Sequence, residues 1–254
     1  MSYPSGLDIA RGIVTGARAV RQYGRNPAVS STFVSLARAG IYRTPQVGAQ
    51  QALRIRAGGN ANDTAAGSGA REITLVGLDA TGEPITDTIA TNGTSASAVS
   101  SKQFLRLTDA FVSKSGTYAT QIALSHAATI NIEDGAGNLW AVIQDTDIPR
   151  GDAEIGAYSV PVNRSLYISH IRLQSDQANK SNVVMFKRSG ILQTAPPYDG
   201  MQLIAEFPSL SGTEILTYDP PIRIEQLSDV GFLARSNSGT IDVSVGFDGF
   251  EVRP

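Results

Sequence analysis

The chain has 254 residues, 41% of them apolar and 17% charged, with 21 basic and 23 acidic side chains. This is a globular, weakly charged composition, long enough to bury a real core, and it excludes a disordered chain. There is no cysteine, which excludes disulfides and thiolate metal sites. No run of about 18 apolar residues exists to cross a membrane as a helix, and the opening residues lack the basic-then-apolar pattern of a secretory leader.

Charge is distributed unevenly. Residues 1–56 hold eight arginines, no lysine and a single acid, Asp8; the rest of the chain is acidic. Residues 6–22 space Leu7, Ile9, Ile13, Val14, Ala17 and Val20 near a helical repeat, interrupted by Gly12 and Gly16. A short helix and an ordered extended arm are both compatible with that spacing. The run Gly24 to Pro27 breaks the pattern. The segment 28–48 then supplies Phe33, Leu36, Ile41 and Tyr42 as apolar anchors. Arginine favours fixed bidentate contacts with acidic groups, and such a field sets docking register. We therefore read residues 1–50 as a basic docking arm, with Arg11, Arg18, Arg21, Arg25, Phe33, Leu36, Arg38, Ile41, Tyr42 and Arg43 as its contact residues. The arginines are spaced out, the body is acidic and no nucleic-acid motif accompanies them, so the expected partner is protein rather than nucleic acid or membrane.

From Gln51 the period becomes two. Short strands are predicted at Leu53/Ile55, 73–77 and 85–89, with Asp79 to Pro84 as a hairpin loop and Asn92-Gly93 as a turn. Residues 57–70, nearly all small or polar, read as an exposed loop ahead of a strand in strict register. Further strands are expected at 103–113, 120–124, 128–133, 138–144, 155–160, 165–174, 182–188, 201–207, 221–227, 229–235 and 240–252. The Pro196-Pro197 and Pro220-Pro221 pairs read as stiffened turns. Short, even strands with 25 glycines and 12 prolines point to an all-β antiparallel sandwich or jelly roll. The stretch Asp145 to Ala153 divides it at about residue 150, giving β domains over 51–150 and 151–254; one continuous domain would read the same way.

Chemistry is not visible. His126 and His170 stand alone, without H-E-x-x-H spacing, and no G-x-S-x-G or phosphate-loop pattern occurs. The acids at Glu133/Asp134, Asp145/Asp147 and Asp152/Glu154 do not fit a calcium loop and read as turn acids. Trp140, the single tryptophan, reads as a hairpin-packing residue rather than a sugar platform. The chain is expected to be no enzyme and to bind no cofactor or metal.

Five segments carry a resemblance. They are NPAVSSTFVSLARAGIYRTP at 26–45, ANDTAAGSGAREITLVGLDATGEPITDTIATNGT at 61–94, FLRLTDAFVSKSGT at 104–117, YSVPVNRSLYISHIRL at 158–173 and GTIDVSVGFDGFEV at 239–252. In order and spacing they resemble a family of tailed-bacteriophage virion proteins of the marine-phage type. The resemblance implies a β-rich structural component of a particle, located in the virion, and supplies no catalytic residues. It fits a head decoration or head-fibre protein, with a trimer favoured by particle symmetry. The alternatives are a neck, tail or baseplate adaptor, and a carbohydrate- or receptor-binding sandwich.

Overall fold

The structure is a computed structural model that describes residues 6–44, 48–117, 125–145, 151–176 and 179–253. In chain order it runs α1 (Gly6–Ala10), β1 (Ala17–Val29), β2 (Val34–Ser35), a 3-10 turn (Arg38–Gly40), β3 (Gln51–Ile55), β4 (Ala70–Leu78), β5 (Pro84–Ala90), β6 (Gln103–Phe104) and β7 (Arg106–Ser115). It continues with β8 (Ile130–Asp134), β9 (Leu139–Ile143), β10 (Ala157–Ser159), β11 (Ser165–Ser175), β12 (Ser181–Ser189), β13 (Gln202–Leu210), β14 (Gly212–Ile224), β15 (Ser228–Ser236) and β16 (Ile241–Val252). The ladders are antiparallel, as expected for an all-β chain. The strand expected at 120–124 lies outside the described residues.

The chain forms two compact units. One joins the residues up to Gly40 with those from Gly156 onward; the other is Ile41–Ile155. This differs from the expected division into an arm at 1–50 and β domains at 51–150 and 151–254. The N-terminal segment pairs with the C-terminal strand instead of standing apart, and the unit formed by 41–155 is an insertion.

The first unit holds two four-stranded sheets, ordered β1-β16-β11-β14 and β10-β15-β12-β13, with β2 added on β15. Leaving aside the two-residue β2, its eight strands therefore pair first with eighth, second with seventh, third with sixth and fourth with fifth. That is the strand order of a jelly roll. The last strand shows why these residues form it. Ile241, Val243, Val245 and Phe247 point into the core while Asp242, Ser244, Gly246 and Asp248 point out, the period-two pattern of a sheet with one wet face. Between the sheets, Phe247 meets Phe232 of β15 at 6.1 Å between ring centroids, and Ile168, Ile171, Leu173, Val183, Met185 and Val230 fill the same core.

β1 runs straight through the expected break. Its register skips between Asn26 and Val29, and this bulge accommodates Pro27, which has no N–H to give to a ladder. Buried Asn26 closes the irregularity: its side-chain oxygen accepts from the Ala28 N–H at 3.0 Å and its amide donates to the Ser35 carbonyl at 3.1 Å. Pro220 and Pro221 lie inside β14, where the ladder skips from Thr217 to Ile222. As β14 is the edge of its sheet, prolines are tolerated there, so this pair is part of a strand rather than a turn.

The inserted unit has one sheet ordered β6-β3-β8-β9 and another ordered β5-β4-β7. The small-residue loop before β4 is exposed or half-buried over most of its length, and it folds around one buried acid. The Asp63 carboxylate accepts from the N–H groups of Ala70 (2.8 Å), Ala127 (2.9 Å) and Ala128 (3.0 Å). Gly69 must be glycine, because a Cβ there would stand 2.1 Å from Asp63 Oδ1. Trp140 packs in its hairpin as expected, with its indole N–H donated to Asp134 at 3.1 Å.

Candidate functional site

The ten residues expected to dock do not form one surface. On β1, three arginines are matched to acids of β16. Arg18 stands opposite Glu251 and Arg21 opposite Asp248, at 2.5 and 3.2 Å, and Arg25 reaches Asp242 diagonally at 2.5 Å. The basic segment thus meets acidic residues of its own chain. Leu36 is fully buried in the core; its N–H donates to Phe232 and its carbonyl accepts from Gly156. Phe33 is exposed beneath the Arg235 guanidinium at 5.0 Å. Arg38 is half-buried in the 3-10 turn. Ile41, Tyr42 and Arg43 belong to the inserted unit, where Arg43 lies over Trp140 at 5.3 Å and donates to the Leu139 carbonyl at 3.4 Å. Arg11 is exposed just beyond α1, flanked by Leu7 and Ile13, which are 64% and 61% exposed.

The most buried of these ion pairs is a cluster. Glu251 is fully buried and accepts from Arg18, from the Tyr158 hydroxyl at 2.8 Å, and faces Arg164 at 3.6 Å. Burial, reinforced by the Glu251 charge, pushes the Tyr158 phenol far above its ordinary range, so it stays a donor to the carboxylate. Burial opposes the Arg18 charge, but Tyr158 and Glu251 outweigh it and raise its pKa. In the inserted unit Glu133, expected as a turn acid, is instead buried in β8. Arg56 and Arg54 hydrogen-bond to it and hold its carboxyl below the usual range. Its neighbour Asp134 is a turn acid, capping the N–H groups of Ala136 and Asn138.

The structure does bring one predicted residue, Arg21, into a group that the sequence did not suggest. On the outer face of the β1-β16-β11-β14 sheet, two rows cross four strands: Arg21, Asp248, His170 and Thr217, and beside them Tyr23, Gly246, Arg172 and Ile215. All of these but Thr217 line an open depression of about 540 Å³. Gly246 forms its floor, and a Cβ there would stand 3.6 Å from the Arg172 guanidinium. Arg172 is exposed and has no hydrogen-bond or ion-pair partner among the described residues. His170 is exposed, with Nδ1 3.0 Å from the Ser169 hydroxyl. The only sequence signal for this group is alternation in SLYISHIRLQS and RAVRQYGR, which places these side chains on one face.

The other histidine is structural: His126 is fully buried, its Nδ1 is 2.8 Å from the Ser125 hydroxyl, and burial lowers its pKa. Among the described residues, no three His, Cys, Asp or Glu side chains converge as metal ligands. No helix among them is long and apolar enough to cross a membrane.

No protein-family model and no curated protein sequence matches the chain. Among solved structures, it is similar to a subunit of the infectious bursal virus derived T=1 particle, at 10% identity, over 94% of this chain and 79% of the other, with a TM-score of 0.13.

Proposed function

We propose that this chain is a non-enzymatic structural protein of a tailed-phage virion, most simply a head decoration or head-fibre protein assembling as a trimer. The observation that carries this reading is the sequence resemblance, which recurs in order over five segments from residue 26 to residue 252. Jelly rolls also serve as lectins and cupins, and a fold alone does not choose among functions. What favours a scaffold here is the investment of charged side chains in internal locks. Arg18, Arg25, Arg54 and Arg56 are all engaged with acids of the same chain. Docking on the particle then falls to residues that the N-terminal segment leaves exposed, among them Leu7, Arg11, Ile13 and Phe33.

Quantitative mass spectrometry of purified particles tests the reading. A copy number near that of the major capsid protein is expected for decoration. A handful of copies would assign the chain to a neck, tail or baseplate position instead. Absence from particles would overturn the virion reading.

A further inference from the structure

We infer that the depression on the outer face of the β1-β16-β11-β14 sheet is a binding site for an acidic saccharide, with Arg172 as the residue that takes the carboxylate. Arg172 is exposed beside Gly246 and has no hydrogen-bond or ion-pair partner among the described residues, so its planar donor fork is available to a ligand. That geometry matches a carboxylate bidentately. The volume of about 540 Å³ lies within the range of small-ligand sites.

The surrounding groups distinguish a sugar acid from a simple anion. Asp248 sits in the same depression, 3.2 Å from Arg21. Arg21 compensates its charge, and its remaining lone pairs accept hydrogen bonds from hydroxyls, which a simple anion such as sulfate lacks. A ligand that carries its charge at one end and hydroxyls at the other uses Arg172 and Asp248 together. The half-buried Tyr23 ring and the 69% exposed Ile215 provide apolar contact for the C–H face of a sugar ring. An acidic peptide is served less well. Extended peptides gain affinity by adding to a free strand edge, whereas this depression lies across four paired strands.

The site is independent of the virion reading, which stands or falls on presence in particles. Its test is a titration of the full chain, followed by amide chemical shifts, with trigalacturonate, a sialyl-lactose, a neutral trisaccharide and a hexaglutamate peptide. The expected result is saturable shifts at residues 21–23, 170–172 and 246–248 with one of the two acidic sugars, and at least tenfold weaker binding of the neutral one. Arg172→Ala should abolish binding. Gly246→Val should do the same by filling the floor, with an unchanged thermal midpoint, since the nearest atom to a new Cβ is at ordinary contact distance. The proposal is overturned if neither acidic sugar binds, if neutral and acidic sugars bind alike, or if both variants bind as the parent does. Binding of hexaglutamate as tight as that of the acidic sugars would assign the site to an acidic protein partner and overturn it as well.

Discussion

At the residue scale, Arg18, Arg21, Arg25, Arg54 and Arg56 are all matched to acids of the same chain. Glu251 is fully buried and satisfied by Arg18, Tyr158 and Arg164. Removing the carboxylate strands Arg164 and a buried phenol, so Glu251→Ala should cost about 3 kcal/mol in urea denaturation. Arg18→Ala should cost only about 1 kcal/mol, because its side chain is nearly half exposed and solvent screens the pair. Asp109 behaves in the opposite sense. Burial, with the nearby Asp152 charge, raises its carboxyl to about 6. Its ionised form therefore destabilises the inserted unit above that pH, and the penalty fades as pH falls towards the unfolded value near 4. Asp109→Asn should stabilise the protein by on the order of 2 kcal/mol at pH 7.5 and by little at pH 4. Equal gains at both pH values would contradict this. Glu133 contributes with the reverse sign. Its lowered pKa, due first to the Arg56 hydrogen bond, supplies stability that is present above the unfolded carboxyl range and lost as pH falls through the folded value. Glu133→Gln should flatten that part of the acid-unfolding curve.

At the scale of elements, β1 decides how the N-terminal residues are understood. Gly24 sits where the strand passes against other backbone; a Cβ would stand 2.1 Å from the Leu36 carbonyl and 2.2 Å from the Gly156 nitrogen. Backbone cannot swing aside as a side chain can, so Gly24→Ala should destabilise the jelly roll by at least about 2 kcal/mol in thermal or urea unfolding. Wild-type stability in that variant would mean that β1 does not lie there. The same residues explain why this strand was hard to see in the sequence. Its inward positions include Gln22, Gly24 and Asn26, which carry no apolar signal, and Pro27 looks like a terminator unless a bulge absorbs it. By contrast β4, β5, β11, β12, β15 and β16 were legible because valine, isoleucine, leucine and phenylalanine alternate cleanly or run together between turn residues. The outer-face depression was not legible, because Arg21, His170, Arg172 and Asp248 are separated by up to 227 positions and meet only through the pairing of β1 and β11 with β16. The charge imbalance was plain in composition, but its cause was not: the arginines of β1 and the acids of β16 lie at opposite ends of the chain and become neighbours only on folding.

At the scale of the whole molecule, pairing of β1 with β16 closes a jelly roll, and a second β unit is inserted between β2 and β10. The chain leaves the jelly roll after Gly40 and returns at Gly156, whose N–H donates to the Leu36 carbonyl at 3.1 Å. The two connections thus arise close together in the first unit. Excising 41–155 and joining the ends through a short glycine linker should leave a folded jelly roll with native-like amide spectra, since loop closure costs little over such a gap. Deleting residues 1–40 should unfold it, because Val20, Val29 and Leu36 belong to its core. Native-state hydrogen exchange over residues 17–29 decides whether the basic N-terminal segment is an integral strand or a free arm. The β1 amides bonded to β16 should exchange with the protection of β16 itself, at or near the global unfolding limit. Exchange at unprotected rates across 17–29, with β16 still protected, would contradict it.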